Sequence, residues 1–172
     1  MAKTFTSAAQ PCVGMAHEAT VRGLGVGVSD DGPDTPVVLL DADGRVVPIF
    51  ISADQAQSID HALRGEPFKR PLTHDLFVEM VAEFGGAVDR VRVDGLAEGT
   101  FLAKIDAEQY VDGERRPATF DARPSDAIAV ALRVDCSVIV ADDVLDRAGR
   151  PPEEFETREE PGPGPERDRG ED

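Results

Sequence analysis

The chain has 172 residues, enough for one domain whose core needs no disulfide staples, and its two cysteines have neither metal-ligand nor disulfide spacing. It contains no run of about 18 apolar residues and no apolar secretion signal, so we expect a cytoplasmic protein without a membrane span. Its 34 acidic and 18 basic residues give a net charge of −16; because molar salt would screen this self-repulsion, the charge predicts a halophilic, haloarchaeal-type protein.

The first half of the chain predicts three strands followed by one helix. Residues 1–14 lack helix or strand periodicity, and we expect a disordered leader or a true start at Met15. The predicted strands are residues 19–28, 37–40 and 46–51. The last two are joined by an Asp-Ala-Asp-Gly turn typical of a hairpin. Ser52 and Gln55 have capping-box spacing for a helix that ends at Gly65.

The second half predicts two longer helices around an antiparallel meander. A helix over 73–84 is indicated by five apolar residues at helical spacing, namely Leu76, Phe77, Met80, Val81 and Phe84. The remaining predicted elements are strands at 88–93, 100–110, 118–121 and 138–141, a helix at 125–133 and one or two helical turns at 142–148.

These elements predict an α+β fold, with a mixed and largely antiparallel sheet and three main helices packed on one side of it. The domain is expected to span 15–150. Residues 151–172 contain nine acids, three arginines and many prolines and glycines, which predicts a disordered acidic tail. The tail alone does not explain the charge, because the rest of the chain is also acidic.

The segment Arg70-Pro71-Leu72-Thr73-His74-Asp75 opens one predicted helix with several polar residues. Thr73 is a good helix cap, and Asp75 suits the positive helix end. His74 does neither. It lies near the buried edge of the helix, so it is either a hydrogen-bonded packing residue or a proton-transfer group.

The segment Asp121-Ala122-Arg123-Pro124-Ser125-Asp126 opens another helix in the same way. Pro124 and Ser125 are ordinary residues for a helix start. Arg123 beside a helix N-terminus could bind a phosphate, and the nearby carboxylates could hold Mg²⁺ or Mn²⁺. The structural alternative is an ion pair between Arg123 and an aspartate that holds the turn.

Together with Val47-Pro48-Ile49-Phe50-Ile51, these two segments resemble the bifunctional nuclease family over residues 15–149, in the order that the family has them. The resemblance implies a compact and often oligomeric α+β domain, with DNase and RNase activity in some members. A homo-oligomer that acts on nucleic acid is therefore expected, with no organic cofactor.

For phosphodiester hydrolysis, the residue chemistry assigns the roles as follows. The candidate catalytic residues are His74, Asp75, Asp121 and Asp126. The candidate substrate-binding residues are Arg123, Arg70, Ser125 and Thr73. Asp121 and Asp126 are also the candidate metal ligands, and His74 is the general acid or base.

Two other functions remain open at this stage. One is a non-catalytic oligomeric regulatory or adaptor domain, in which the polar helix starts are structural. The other is anion sensing at Arg123 without a metal. The acidic surface weakens the nuclease hypothesis, because affinity for nucleic acid comes largely from basic residues.

Overall fold

A seven-stranded sheet forms the centre of the computed structural model, which describes residues 15–27, 34–65 and 69–155. The predicted leader and residues 156–172 of the predicted tail lie outside the described residues. The strands are β1 (Ala16–Gly27), β2 (Thr35–Ala42), β3 (Arg45–Phe50), β4 (Gly86–Ala97), β5 (Thr100–Val111), β6 (Glu114–Ala122) and β7 (Ser137–Ala141). The helices are α1 (Ala53–Arg64), α2 (Thr73–Glu83), α3 (Pro124–Val134) and α4 (Asp142–Ala148).

The strand order is β3-β2-β1-β7-β4-β5-β6. The pairing of β4 with β7 is parallel, and the other pairings are antiparallel. The predicted mixed α+β fold with a largely antiparallel sheet is therefore confirmed. The predicted number of helices is slightly wrong, because the expected last helical turns form a fourth helix, α4.

Local sequence signals explain several element boundaries. Asp43 and Gly44 both have positive φ in the tight turn between β2 and β3, as the hairpin signal requires. The Ser52 backbone N–H donates to Gln55 Oε1 at 2.9 Å, which supplies half of the predicted capping box of α1. Gly65 ends α1 in the left-handed conformation.

The hydrophobic core lies on one face of the sheet, between the sheet and helices α1, α3 and α4. Its largest fully buried side chains include Leu40, Ile59, Ile128 and Leu145, each contributing about 1.5–3 kcal/mol through burial. On the other face, Val37, Leu39 and Val46 form a second cluster with Phe155. The predicted tail therefore begins with structure, since Pro152–Phe155 is a 3₁₀ helix whose last residue packs on the sheet.

Strand β6 is longer than the predicted strand at 118–121. It runs through Arg115, Arg116 and Pro117, and nearly all of its residues are exposed. Because β6 lies at the edge of the sheet, its outer side can accommodate charged side chains and a proline that would interrupt a central strand.

Helix α2 differs most from the prediction. Its five-residue apolar stripe does not enter the core, and none of its residues is fully buried. The helix contacts the core through Val78, whereas Phe77, Met80 and Phe84 border a groove of about 530 Å³ between α2 and strands β4–β6. The apolar stripe thus lines an open groove, and Phe84 remains 69 % exposed.

Among the described residues, no helix is both long and apolar enough to cross a membrane.

Candidate functional site

The first turn of α2 is held by its own aspartate. Leu72 has extended backbone angles and is the N-cap, whereas the predicted cap, Thr73, is the first helical residue and is exposed. The Asp75 carboxylate accepts a hydrogen bond from the Leu72 backbone N–H at 2.7 Å. Asp75 therefore satisfies a free N–H group of the helix end, and it leaves His74 directed toward the neighbouring helices.

The first turn of α3 begins one residue earlier than the sequence predicts. Arg123 is the extended N-cap, and Pro124 is the first helical residue, where the missing N–H costs nothing. Ser125, the predicted cap and substrate contact, is buried at the second helical position. Its burial removes it from the surface that a substrate could touch.

His74 joins α2 to both of the other main helices. Its Nε2 forms a 3.0 Å hydrogen bond with Asp126 Oδ1 in α3, and its Nδ1 forms a 2.9 Å hydrogen bond with Ser58 Oγ in α1. The imidazole is mostly buried and has a partner at each nitrogen. The sequence expectation that His74 lies at the buried edge of its helix is thus confirmed.

Asp126 also pairs with the guanidinium of Arg123. Arg123 Nε donates to Oδ2 at 2.7 Å and Nη2 donates to Oδ1 at 3.1 Å. Partial burial tends to raise the pKa of Asp126, but the hydrogen bonds from Arg123 and His74 more than offset it, so the pKa lies below its usual value. Asp126 is therefore an ionised acceptor at neutral pH, while Arg123 remains 68 % exposed.

A second ion pair, between Arg133 and Asp75, joins α3 to α2. The Arg133 side chain, 9 % exposed, donates from Nε to the Asp75 carboxylate and from Nη2 to the carbonyl oxygen and Oγ of Ser58, both at 3.3 Å. Burial would raise the pKa of Asp75, but the hydrogen bonds from Arg133 and the Leu72 backbone lower it overall. Asp75 thus links α2 to α3 and is occupied by structural partners.

The other predicted site residues lie apart from this cluster. Asp121 is opposite Lys104 near the end of β6, where it borders the groove beside α2. Arg70 is exposed in the segment before α2. No hydrogen bond or ion pair in the described part of the chain joins Asp121 or Arg70 to His74 or Asp126.

The predicted metal ligands, Asp121 and Asp126, do not form a complete donor set. In the ranges that the structure describes, no three His, Cys, Asp or Glu side chains are close enough to hold a metal ion. Asp126 is the better placed of the two, since it is hydrogen-bonded to both His74 and Arg123. A divalent ion at Asp126 would take most of its ligands from water or a phosphate.

The connected groups can bind an anion and move a proton. Arg123 presents guanidinium donors at the surface, beside the positive ends of α2 and α3. Asp126 and His74 are directly hydrogen-bonded, so a proton can pass between a group at the carboxylate and the imidazole. Both predicted interpretations of Arg123 are compatible with the site, because its ion pair with Asp126 is exposed.

Ser58 and Arg133 were missed by the sequence interpretation. Ser58 lies beside the apolar stripe of α1, and Arg133 follows Asp126 by two helical turns on the same face of α3. These spacings were a signal that both side chains could face neighbouring helices. Periodicity alone, however, does not tell which polar residue of a helix contacts another helix.

Known proteins similar to this chain share most of the domain. A family model described as the bifunctional nuclease domain matches residues 37–153. An uncharacterised protein of Mycobacterium tuberculosis is 35 % identical over 130 residues, which cover 75 % of each chain. Bifunctional nuclease 2 of Oryza sativa subsp. japonica is 28 % identical over 63 % of this chain and 34 % of its own length. Bifunctional nuclease of Oryza minuta is 27 % identical over 60 % and 32 %, respectively. The chain therefore belongs to the bifunctional nuclease domain family.

Proposed function

We propose that this protein hydrolyses phosphodiester bonds in DNA, RNA or both, at a site formed by His74, Asp126 and Arg123. The observation that carries the proposal is the continuous hydrogen-bonded series from exposed Arg123 through Asp126 to His74, which joins two helix N-termini. Membership of the family and the similarity to rice proteins named bifunctional nucleases support the same reaction class.

Arg123 is the group that we assign to the substrate phosphate. Its guanidinium is exposed and can turn from Asp126 toward phosphoryl oxygens, where its donors offset the charge that develops during the reaction. Arg70 is exposed in the segment before α2 and Thr73 is exposed at its first position, and we propose both as further substrate contacts.

Asp126 and His74 handle the protons in this mechanism. When Arg123 moves to the phosphate, Asp126 Oδ2 is free to accept a hydrogen bond from the attacking water. The water oxygen bonds to phosphorus, and its proton passes to the Asp126 carboxylate, because His74 Nε2 already carries a proton. The bond from phosphorus to the leaving nucleotide oxygen breaks, that oxygen takes the Nε2 proton of His74, and Asp126 passes the proton from water to Nε2 in its place.

The described residues lack a complete donor set for a metal ion. We nevertheless propose Asp126 as the carboxylate that would contact Mg²⁺ or Mn²⁺, with phosphate oxygens and water as the other ligands. Asp121 keeps only an outer role in this proposal, since it borders the groove beside α2 and has no described hydrogen bond to Asp126 or His74.

We also propose a homo-oligomer assembled through the groove beside α2. The groove has an apolar floor, which includes Ile105 and Ala118, and projecting rim residues Phe84 and Phe120. A surface with both a hollow and projections can match a second copy of itself across a two-fold axis. Edge strand β6 extends the same surface.

The chain's working environment is also part of the proposal. A net charge of −16 is best suited to a cytoplasm with high salt, as in a haloarchaeal-type cell. In such salt, repulsion between the protein and a polyanionic substrate is screened within a few ångströms, about 3 Å at 1 M. Contact at Arg123 then matters more than long-range attraction.

One observation favours a second function, that of a regulatory or adaptor domain without catalysis. Both nitrogens of His74 and both oxygens of Asp126 already have partners within the protein. A purely structural cluster would have the same property. The two functions differ in what they predict for substitutions at the cluster.

The test is degradation of plasmid DNA and single-stranded RNA at low salt and at about 2–3 M KCl. Each reaction contains Mg²⁺, Mn²⁺ or EDTA. The site variants are His74→Ala, Asp126→Asn and Arg123→Ala. Matched controls are Asp143→Asn and Arg147→Ala, which break an exposed ion pair in α4.

We expect the site variants to lose activity by about 10²-fold or more while remaining folded, and the controls to retain it. Cleavage that disappears in EDTA would add a metal to the mechanism. Undiminished cleavage by folded His74→Ala and Asp126→Asn would contradict this site, and no cleavage by the folded wild type would favour the adaptor function.

A further inference from the structure

Ser58 has no part in the proposed reaction, yet it lies at the centre of the helix cluster. It is a polar side chain that is only 5 % exposed, in the middle of α1. Its Oγ contacts His74 Nδ1 at 2.9 Å and accepts from Arg133 Nη2 at 3.3 Å. The direction of the hydroxyl hydrogen therefore depends on which of these two partners can accept it.

The hydrogen-bond partners define where that proton lies. A guanidinium has donors and no acceptor, so Arg133 can only donate to Ser58 Oγ. Within the described ranges, His74 Nδ1 is the one partner of Ser58 Oγ that can accept. The Ser58 hydroxyl hydrogen therefore belongs on the bond to Nδ1, and the His74 ring proton belongs on Nε2.

We infer that Ser58, oriented by Arg133, is a positioning residue that fixes the tautomer of His74. The bond from Ser58 keeps Nδ1 free of a proton and directs the Nε2–H group to Asp126 Oδ1. The value of this tautomer for catalysis rests on the proposed function, in which His74 delivers a proton from the Asp126 side. The tautomer itself is a property of the cluster and does not depend on any reaction.

The series Ser58–His74–Asp126 has the connectivity of a nucleophile, its base and an orienting carboxylate. Burial argues against attack by Ser58, because a phosphate cannot reach a side chain that is 5 % exposed and covered by Arg133. The role that remains for Ser58 is to hold the imidazole in one tautomer and one orientation.

Asp126 alone would also favour a proton on Nε2, so the test must separate the two influences. In the full chain labelled with ¹⁵N-histidine, the His74 signals are assigned by comparison with His74→Gln. The tautomer is then read from the nitrogen shifts in Asp126→Ala, in Ser58→Ala/Asp126→Ala, and in the matched control Ser137→Ala/Asp126→Ala.

We expect Asp126→Ala and its Ser137 control to keep the proton almost wholly on Nε2, and the Ser58 double variant to move to the tautomer mixture of a free imidazole. A proton that moves to Nδ1 in Asp126→Ala, or a double variant that matches the single one, would overturn the inference. Ser58→Ala alone should lower the turnover of an active enzyme by about tenfold or more, with KM little changed. If the wild type cleaves no nucleic acid, the proposed function fails, but the tautomer result still decides the role of Ser58.

Discussion

Asp75 and Asp126 occupy the same position, the third helical residue, in α2 and α3. Their partners separate their roles. Asp75 accepts from the Leu72 backbone and from the buried Arg133, whereas Asp126 pairs with the exposed Arg123 and with His74. We therefore expect Asp75 to act in stability, and the proposed function uses Asp126 for the chemistry at the surface.

The variant Asp75→Asn tests this division of roles. It leaves Arg133 without its charged partner, so we expect the free energy of unfolding to fall by about 1–3 kcal/mol. Nuclease activity per folded molecule should fall far less than in Asp126→Asn. Urea denaturation measures the stability, with Asp143→Asn as a surface control expected within about 0.5 kcal/mol of wild type. A stable Asp75→Asn protein without activity would return Asp75 to the candidate catalytic residues.

Sequence could predict part of this site. His74, Asp126 and Arg123 were identifiable because histidine and arginine are unusual beside a helix start, where small capping residues suffice. The place of Asp121 relative to the cluster was harder to predict, since one residue of strand register decides which face of a sheet a side chain occupies. Ser58 and Arg133 acquire their roles only from the crossing of three helices, which no local pattern encodes.

At the scale of elements, sequence predicted the type of nearly every helix and strand, but not which apolar face would be covered. The helical spacing in α2 correctly indicated an amphipathic helix. The pattern could not distinguish a helix packed in the core from one whose stripe lines a groove. Similarly, β6 continues beyond its apolar residues because backbone pairing to β5 sustains it.

The groove beside α2 leads to a prediction about assembly. Phe84→Glu places a charge at the rim of the apolar surface, so burial against a second copy would leave that charge without water or a partner. In light scattering, we expect the wild type to have the mass of an oligomer. We expect Phe84→Glu and Phe120→Glu each to have the mass of a monomer. Phe50→Glu is the matched control, because the exposure of Phe50 lies between those of Phe84 and Phe120 but Phe50 is in β3, at the other edge of the sheet.

A wild type that is monomeric throughout a dilution series would contradict assembly through this groove. Dissociation caused by Phe50→Glu, with no effect of Phe84→Glu, would instead place the contact at the β3 edge. Circular dichroism of each variant tests whether a changed mass comes from unfolding. We expect the variants to stay folded, because these side chains lie outside the core.

For the whole molecule, ion pairing and net charge have opposite effects on stability. Asp106 illustrates the favourable side: although burial opposes its ionisation, hydrogen bonds from Arg92, Arg90 and Thr119 lower its pKa to about 2. These contacts tie β4, β5 and β6 together. The unfavourable side is repulsion among 34 acidic residues that 18 basic residues cannot balance.

Salt should therefore stabilise the fold. Raising KCl shortens the Debye length from about 10 Å at 0.1 M to about 3 Å at 1 M, which removes long-range repulsion but leaves short, partly buried pairs such as Asp106–Arg92 largely intact. We expect the unfolding free energy from urea titrations to rise by about 1–2 kcal/mol, and Tm by about 2–4 °C per kcal/mol.

The double variant Glu153→Lys/Glu154→Lys reduces the negative charge at an exposed 3₁₀ helix, so its stability should depend less steeply on KCl. Stability that falls as KCl rises would show that screening of ion pairs outweighs relief of repulsion, and it would remove the physical basis for a halophilic protein.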